Sequence, residues 1–216
     1  NKRKNGDLFA ALLSISALRD QSGAIINFVS LFTEITETKM QQQALEDMAH
    51  HDPLTQLPNR ILFADRFRQA LARCKREMTT LGLVYMDLDG FKQVNDNLGH
   101  DIGDLLLQEV STRIKSCLRE EDTVARLGGD EFALLLNDLE SKNHCTQILQ
   151  RVHGAIAQPY QIMNTTIQIG VSSGVTLYPD DPSDADFLLR HADQAMYQAK
   201  QRGRNRFEFY RHNGNP

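Results

Sequence analysis

The sequence has no tryptophan, only three cysteines and no surplus of basic charge. The missing tryptophan decides nothing by itself. Cys74, Cys117 and Cys145 are far apart and form no C-x-x-C pair. That excludes the common zinc and dithiol-redox spacings and leaves buried or free thiols in a reducing cytoplasm. There are 24 Lys and Arg against 28 Asp and Glu, a formal net charge of −4. A protein that binds a nucleic-acid polymer is usually basic overall, so that class is disfavoured; a local phosphate site needs only a few cations. No apolar run approaches the ~20 residues that span a bilayer. The expectation is a cytoplasmic domain, with any membrane tether elsewhere in a full-length protein. Signal peptide, internal repeat and low-complexity tract are also lacking. The first residue is Asn1, not Met, so the natural chain is expected to begin further upstream. What is present is ordinary globular composition: 216 residues, 41% hydrophobic and 24% charged. That is enough for one domain plus part of another.

Residues 1–35 alternate like antiparallel sheet. Lys4-Asn5-Gly6 and Asp20-Gln21-Ser22-Gly23 are turn signals, and strands are expected from Leu8 to Leu18 and from Ile25 to Phe32. Two strands cannot bury both faces, so this segment is expected to be the end of a larger domain. Residues 36–51 turn polar and helical, with a weak seam of Ile35, Gln42, Leu45, Met48 and Ala49. That pattern is too short for a coiled coil and predicts a helical linker.

A second unit, residues 52–211, opens on a two-proline turn from Asp52 to Arg60. Helices are expected over Ile61–Lys75, Asp101–Leu118, Lys142–Ala157 and Ser183–Arg202, the last stopped by Gly203. Strands are expected at Leu81–Met86, at Thr123–Leu127 and Glu131–Leu136 as a hairpin around Gly128-Gly129, at Thr165–Tyr178 with breaks at Gly170 and Gly174, and at Arg206–Tyr210. The order predicts an α+β fold: a central, mostly antiparallel sheet with flanking helices, placed on one face.

Two acidic clusters fall on this frame. Asp87-Leu88-Asp89 ends a strand, and Asp87 and Asp89 project the same way at period two. Asp130-Glu131 occupies the hairpin turn. If the hairpin lies beside the first strand, the clusters share one rim and suit a hard divalent ion. The glycines would let a phosphorylated ligand approach the backbone. The competing reading is a solvated turn with two surface acids. Between the clusters, Lys92 can neutralise phosphate, and Asn95 and the nearby acids can read a guanine edge. The alternative for Asn95 and Asp101 is helix capping, expected for Asp101. The basic run Lys200 to Arg206 either complements a helix dipole or contacts phosphate.

At Gly128-Gly129-Asp130-Glu131-Phe132 the chain meets a family signature. From about Asp52 to Tyr210 it resembles the GGDEF-domain diguanylate cyclases. The match continues in Asp52-Pro53-Leu54-Thr55 with Asn59-Arg60, in Asp87-Leu88-Asp89 with Phe91-Lys92, in Asn95, in Gly99-His100-Asp101 with Gly103-Asp104, and in Lys200 with Gly203-Arg204-Asn205. Gln56 departs from the commonest pattern, which has glycine there. The resemblance implies a ferredoxin-like, palm-type nucleotidyl cyclase fold and the condensation of two GTP into cyclic di-GMP with release of two pyrophosphates. It implies Mg²⁺, with Mn²⁺ as the alternative, on Asp87, Asp130 and the Leu88 carbonyl, with Glu131 joining the shell. Asn95 and Asp104 would hold guanine, with His100 near the ribose or base. Phe91, Lys92, Lys200 and Arg204 would take the triphosphate against Gly128 and Gly129, Lys92 also offsetting transition-state charge. Asp130 would assist proton removal. Since one domain binds one GTP, catalysis would need a homodimer.

Arg119-Glu120-Glu121-Asp122 matches the family's R-x-x-D product-inhibition site, with Arg119 on the phosphate and guanine of cyclic di-GMP and Asp122 on a guanine edge. The competing reading is a surface ion pair. Residues 1–35 resemble the C-terminal strands of a PAS sensor domain. The alternative function is a non-catalytic GGDEF domain that binds GTP or cyclic di-GMP, coupled to a downstream phosphodiesterase domain.

Overall fold

The computed structural model describes residues 2, 4, 6 and 8–211, and only the backbone of 42–47. The chain divides into two compact units, with the boundary after Ala49.

The first unit is a hairpin and a helix. Strand β1 (Ala11–Arg19) pairs antiparallel with β2 (Ile25–Glu34), placing Ser14 opposite Leu31. The turn closes because Asp20 Oδ1 accepts from the Ser22 and Ala24 amides at 2.8 and 3.0 Å. Helix α1 (Thr36–His50) follows. Neighbouring Leu12 and Leu13 are both more than half exposed, so neither face of the ribbon is covered by the described residues. Asn5 of the first turn signal, and Gln42 and Leu45 of the helix seam, lie outside the described residues or side chains.

The second unit begins with α2 (Arg60–Glu77), started by Asn59, whose side chain accepts from the Ile61 and Leu62 amides. Strand β3 (Leu81–Asp89) leads into two short-linked helices, α3 (Phe91–Leu98) and α4 (His100–Ser116). Then come β4 (Thr123–Gly128), β5 (Glu131–Leu136) and α5 (Lys142–Ile156). A small hairpin, β6 (Tyr160–Ile162) with β7 (Thr165–Ile167), precedes β8 (Gly170–Tyr178), α6 (Ala185–Gln201) and β9 (Phe207–Phe209). The sheet order is β4-β5-β3-β8-β9, antiparallel except for the β8–β9 pair. This is the expected palm-type α+β architecture.

Three expectations need correction. Helices cover both faces of the sheet, not one. Val84, Met86, Leu88, Phe132 and Leu134 pack on α4 and α5 through Leu106, Val110 and Leu149. Their strand neighbours Leu83, Ala133 and Leu135 face the other way, onto Phe63, Phe67 and Leu71 of α2 and Leu188 and Ala192 of α6. The strands are apolar on both sides because both sides are buried. Second, Gly174 does not break its strand. It lies inside β8 where α6 comes close: an added Cβ would sit 1.9 Å from the Ala192 carbonyl oxygen. Third, Asp101 is not a cap. Gly99 precedes α4, no side chain caps it, and Asp101 lies in the first turn, where its charge complements the helix dipole. Helix α3 and the β6–β7 hairpin were not legible. Helix α3 is only eight residues long, too short a window for its Phe91, Val94 and Leu98 spacing to stand out from the polar run around it.

Candidate active site

The β4–β5 turn is built from glycine. Gly128 has φ 146° and Gly129 φ 52°, values that a side chain would strain. Pairing of β3 with β5 sets Asp87 opposite Glu131, and the Leu88 amide donates to the Asp130 carbonyl at 3.2 Å. The two acidic clusters therefore share a rim, as the sequence led one to expect. Burial raises the affinity of Asp130 for a proton, and the nearby Asp87 carboxylate raises it further, with Lys200 opposing. Lys200 Nζ lies 2.8 Å from Asp87 Oδ1. Helix α6 thus delivers its lysine to the rim and does not merely use it against its own dipole. Glu131 lies 3.6 Å from Arg60, and it joins burial in pushing the Tyr85 phenol up to about 12.

Asp89 is spent on structure. Its oxygens accept from Ser172 Oγ at 2.7 Å and from the Asn205 amide at 2.9 Å, and Arg204 Nε stands 4.0 Å away. This anchors the loop after α6, which carries Arg204 at φ 60°.

Asn95 and Gly103 form a second locus. Asn95 Oδ1 is buried and has no hydrogen-bond partner among the described residues. A Cβ on Gly103 would lie 1.9 Å from that oxygen and 3.3 Å from the Phe91 ring. Gly103 therefore makes room for the Asn95 amide. Leaving a buried amide oxygen unpaired costs about 1–3 kcal/mol, which favours a ligand donor there. The Phe91 ring is buried in the core, which leaves only its main chain for any ligand; the Gln93 and Val94 amides donate to the Gly90 carbonyl, and those of Phe91 and Lys92 lie ahead of the first helical bonds. Lys92, His100 and Asp104 are exposed on the first turns of α3 and α4.

One group missed from the sequence, Arg126, locks the turn to Asp52. Arg126 Nη1 reaches both oxygens of Asp52, at 2.9 and 3.1 Å, while its Nε donates to the Gly129 carbonyl at 2.9 Å. Asp52 also accepts from the amide and hydroxyl of Thr55. Burial opposes ionisation of Asp52, but the Thr55 and Arg126 contacts outweigh it and hold the carboxyl below its ordinary range. The Asp-Pro-Leu-Thr turn thus braces the glycine turn through one arginine. The signal was an arginine two residues before Gly128.

The family profile described as "Diguanylate cyclase, GGDEF domain" matches residues 49–206. The chain belongs to the GGDEF-domain diguanylate cyclase family. Over 175 residues it is 45% identical to the bifunctional diguanylate cyclase/cyclic di-GMP phosphodiesterase MucR of Pseudomonas aeruginosa, covering 81% of this chain and 25% of MucR. Diguanylate cyclase TpbB of the same species is 36% identical over 198 residues, 90% of this chain and 45% of TpbB. The chain therefore spans a quarter to under half of these relatives. The solved GGDEF domain of TpbB superposes with a TM-score of 0.73 at 39% identity, covering 75% of this chain and 95% of that one. The coiled coil and GGDEF domain of DgcB from Caulobacter crescentus, solved with cyclic di-GMP, gives 0.74 at 27% identity, covering 81% and 93%.

The R-x-x-D segment of this GGDEF domain lies at the far end of β4 from the glycine turn, roughly 17 Å away at the rise of a strand. It is not a simple ion pair. The Asp122 carboxylate accepts from the backbone amides of Arg119 at 3.1 Å and Asn137 at 3.0 Å. Burial nonetheless raises its proton affinity. The Arg119 guanidinium turns instead to His144 and Glu121. A carboxylate offers about four acceptor positions, so Asp122 keeps capacity for a ligand. Among the described residues no helix is long and apolar enough to cross a membrane.

Proposed function

We propose that this chain is a diguanylate cyclase. It joins two GTP molecules into cyclic di-GMP and releases two pyrophosphates. The observation that carries the reading is the rim itself: a proton-avid Asp130 beside Asp87, with Lys200 2.8 Å from the latter.

Among the described residues no three His, Cys, Asp or Glu side chains converge to hold a metal by themselves. The donors at the rim still fit a hard divalent ion. They are all oxygens, and burial first, then the neighbouring Asp87 carboxylate, make a bare negative charge on Asp130 unfavourable, a cost that a cation would offset. Mg²⁺ commonly takes one or two carboxylates and completes its shell with phosphate and water. Asp87, Asp130 and the Leu88 carbonyl would hold it, with Glu131 at the edge. When bound, the ion supplies positive charge to the reacting phosphate and the leaving pyrophosphate.

The chain's own groups supply the rest. Asn95 and Asp104 fix the guanine, the buried Asn95 oxygen taking a ring N–H. The amides of Phe91 and Lys92 and the cations of Lys92, Lys200 and Arg204 bind the triphosphate, and His100 lies by the ribose or the base. The 3′-oxygen of one nucleotide forms a bond to the α-phosphorus of the other, and the bond to the bridging oxygen of pyrophosphate breaks. Asp130 takes the 3′-hydroxyl proton, a task its raised proton affinity suits. One base site per domain requires a second copy, so the active form is a homodimer.

In this reading residues 1–35 are the last strands of a PAS-like sensor, 36–51 a helical signalling linker and 52–211 the cyclase domain. Cyclic di-GMP also binds Arg119 and Asp122 and inhibits. The test is incubation with GTP and Mg²⁺ and detection of cyclic di-GMP. The wild-type chain should make it and Asp130→Asn should not; equal synthesis by the variant refutes the assignment.

A further inference from the structure

The side chain of Arg119 is bracketed. Its Nη2 lies 3.3 Å from Nε2 of His144, in the first turn of α5, and its Nη1 lies 3.9 Å from Glu121. A guanidinium can only donate. Nε2 of His144 must then be the accepting nitrogen, and the ring proton sits on Nδ1. That Nδ1 is buried and has no hydrogen-bond partner among the described residues. The ring is thus held in an arrangement that leaves one polar atom unsatisfied and yields one contact, to Arg119.

The surroundings make the histidine a fixed post. Ser141 caps α5 by accepting from the His144 amide at 3.1 Å. Two turns along the same helix, Arg151 donates to the Cys117 carbonyl from Nε at 3.1 Å and from Nη2 at 2.6 Å. Asp122 ties the other end of the loop to Asn137. The backbone of 117–122 is therefore secured at both ends without His144. What His144 adds is control of the guanidinium, on a side chain that is 52% exposed and whose other neighbour, Glu121, is itself exposed and 3.9 Å away.

We propose that His144 is a positioning residue of the product-inhibition site. It accepts from Arg119 and holds the guanidinium where the phosphate and guanine of cyclic di-GMP engage it. This rests on the reading of Arg119 and Asp122 as that site. An arginine ordered before binding loses less rotamer freedom when the ligand arrives. Removing the acceptor returns that cost to the binding step.

The experiment is calorimetric titration of cyclic di-GMP into the wild-type chain and into His144→Leu, His144→Gln and Arg119→Ala. His144→Leu keeps bulk but accepts nothing, and should weaken binding by about three- to tenfold. His144→Gln places an amide oxygen near the position of Nε2 and should restore affinity to within about twofold. A merely structural role for the ring would not be rescued by glutamine. Unchanged affinity in His144→Leu, or equal weakening in Leu and Gln variants that melt like wild type, overturns the histidine's role. If Arg119→Ala binds as tightly as wild type, the product site itself is wrong, and the histidine's role falls with it.

Discussion

Replacing Asp52 by asparagine tests how the start of the domain governs the catalytic turn. The change keeps shape and leaves an oxygen for the Thr55 amide, but removes the charge that faces Arg126. The Arg126 and Asp52 side chains are 11% and 18% exposed. Exposed ion pairs are worth about 0–1 kcal/mol, whereas stripping one partner from a fully buried pair costs about 3–5 kcal/mol. With both side chains mostly covered, a loss of about 2–3 kcal/mol is expected. In a domain of this size that lowers the unfolding midpoint by roughly 4–12 °C. Activity should suffer separately. Arg126 braces the Gly129 carbonyl, next to Asp130. A loosened turn displaces the Asp130 carboxylate proposed as the base, and a misplacement of about 1 Å can cost on the order of a hundredfold in rate. Thermal unfolding and cyclic di-GMP formation, assayed well below the variant's midpoint, measure the two effects. The sign with pH follows from the lowered proton affinity of Asp52. Its stabilisation is present above the ordinary carboxylate range, near 3.9, and is lost as pH falls through the lower folded value. The gap between wild type and variant should therefore close in strong acid. A variant that melts like wild type at neutral pH, or that melts early while the folded fraction turns over at the wild-type rate, refutes the coupling.

Asp130→Asn should abolish synthesis yet raise the neutral-pH midpoint by about 2–4 °C, the equivalent of roughly 1 kcal/mol. The folded state disfavours the ionised form of Asp130, so this gain should vanish at low pH, where the wild-type carboxyl is protonated too. Gly103→Ala should raise KM for GTP about tenfold or more and blunt discrimination against ATP, since the new Cβ would strike Asn95 Oδ1. Helix propensity alone would make that substitution stabilising by about 1 kcal/mol, so a functional loss in a well-folded variant isolates the steric effect. Gly174→Ala should lower the midpoint, because its Cβ meets the backbone of α6 at Ala192 and Met196, and such overpacking costs about 1–3 kcal/mol or more.

Much of the site was legible because its residues are local in sequence. Asp87 ends an apolar run, and Gly128-Gly129-Asp130-Glu131 interrupts alternating strands, so chain order alone proposes a strand end and a turn. Gln56 stands where the family commonly has glycine, and its φ of 58° shows why: the turn needs a left-handed residue. The sequence by itself determined the chemical inventory, the α+β class and the family. It could not decide which side chains share a partner across the sheet. Asp52 and Arg126 are 74 residues apart, and Asp87 and Lys200 lie on β3 and α6. Tertiary structure made Asp89 an anchor, gave the Arg119 guanidinium to His144 while leaving only its backbone amide to Asp122, and put helices on both faces. The reason is physical. Periodicity records how a residue faces its own element, whereas hydrogen bonds and close approaches depend on which elements the buried apolar surfaces bring together.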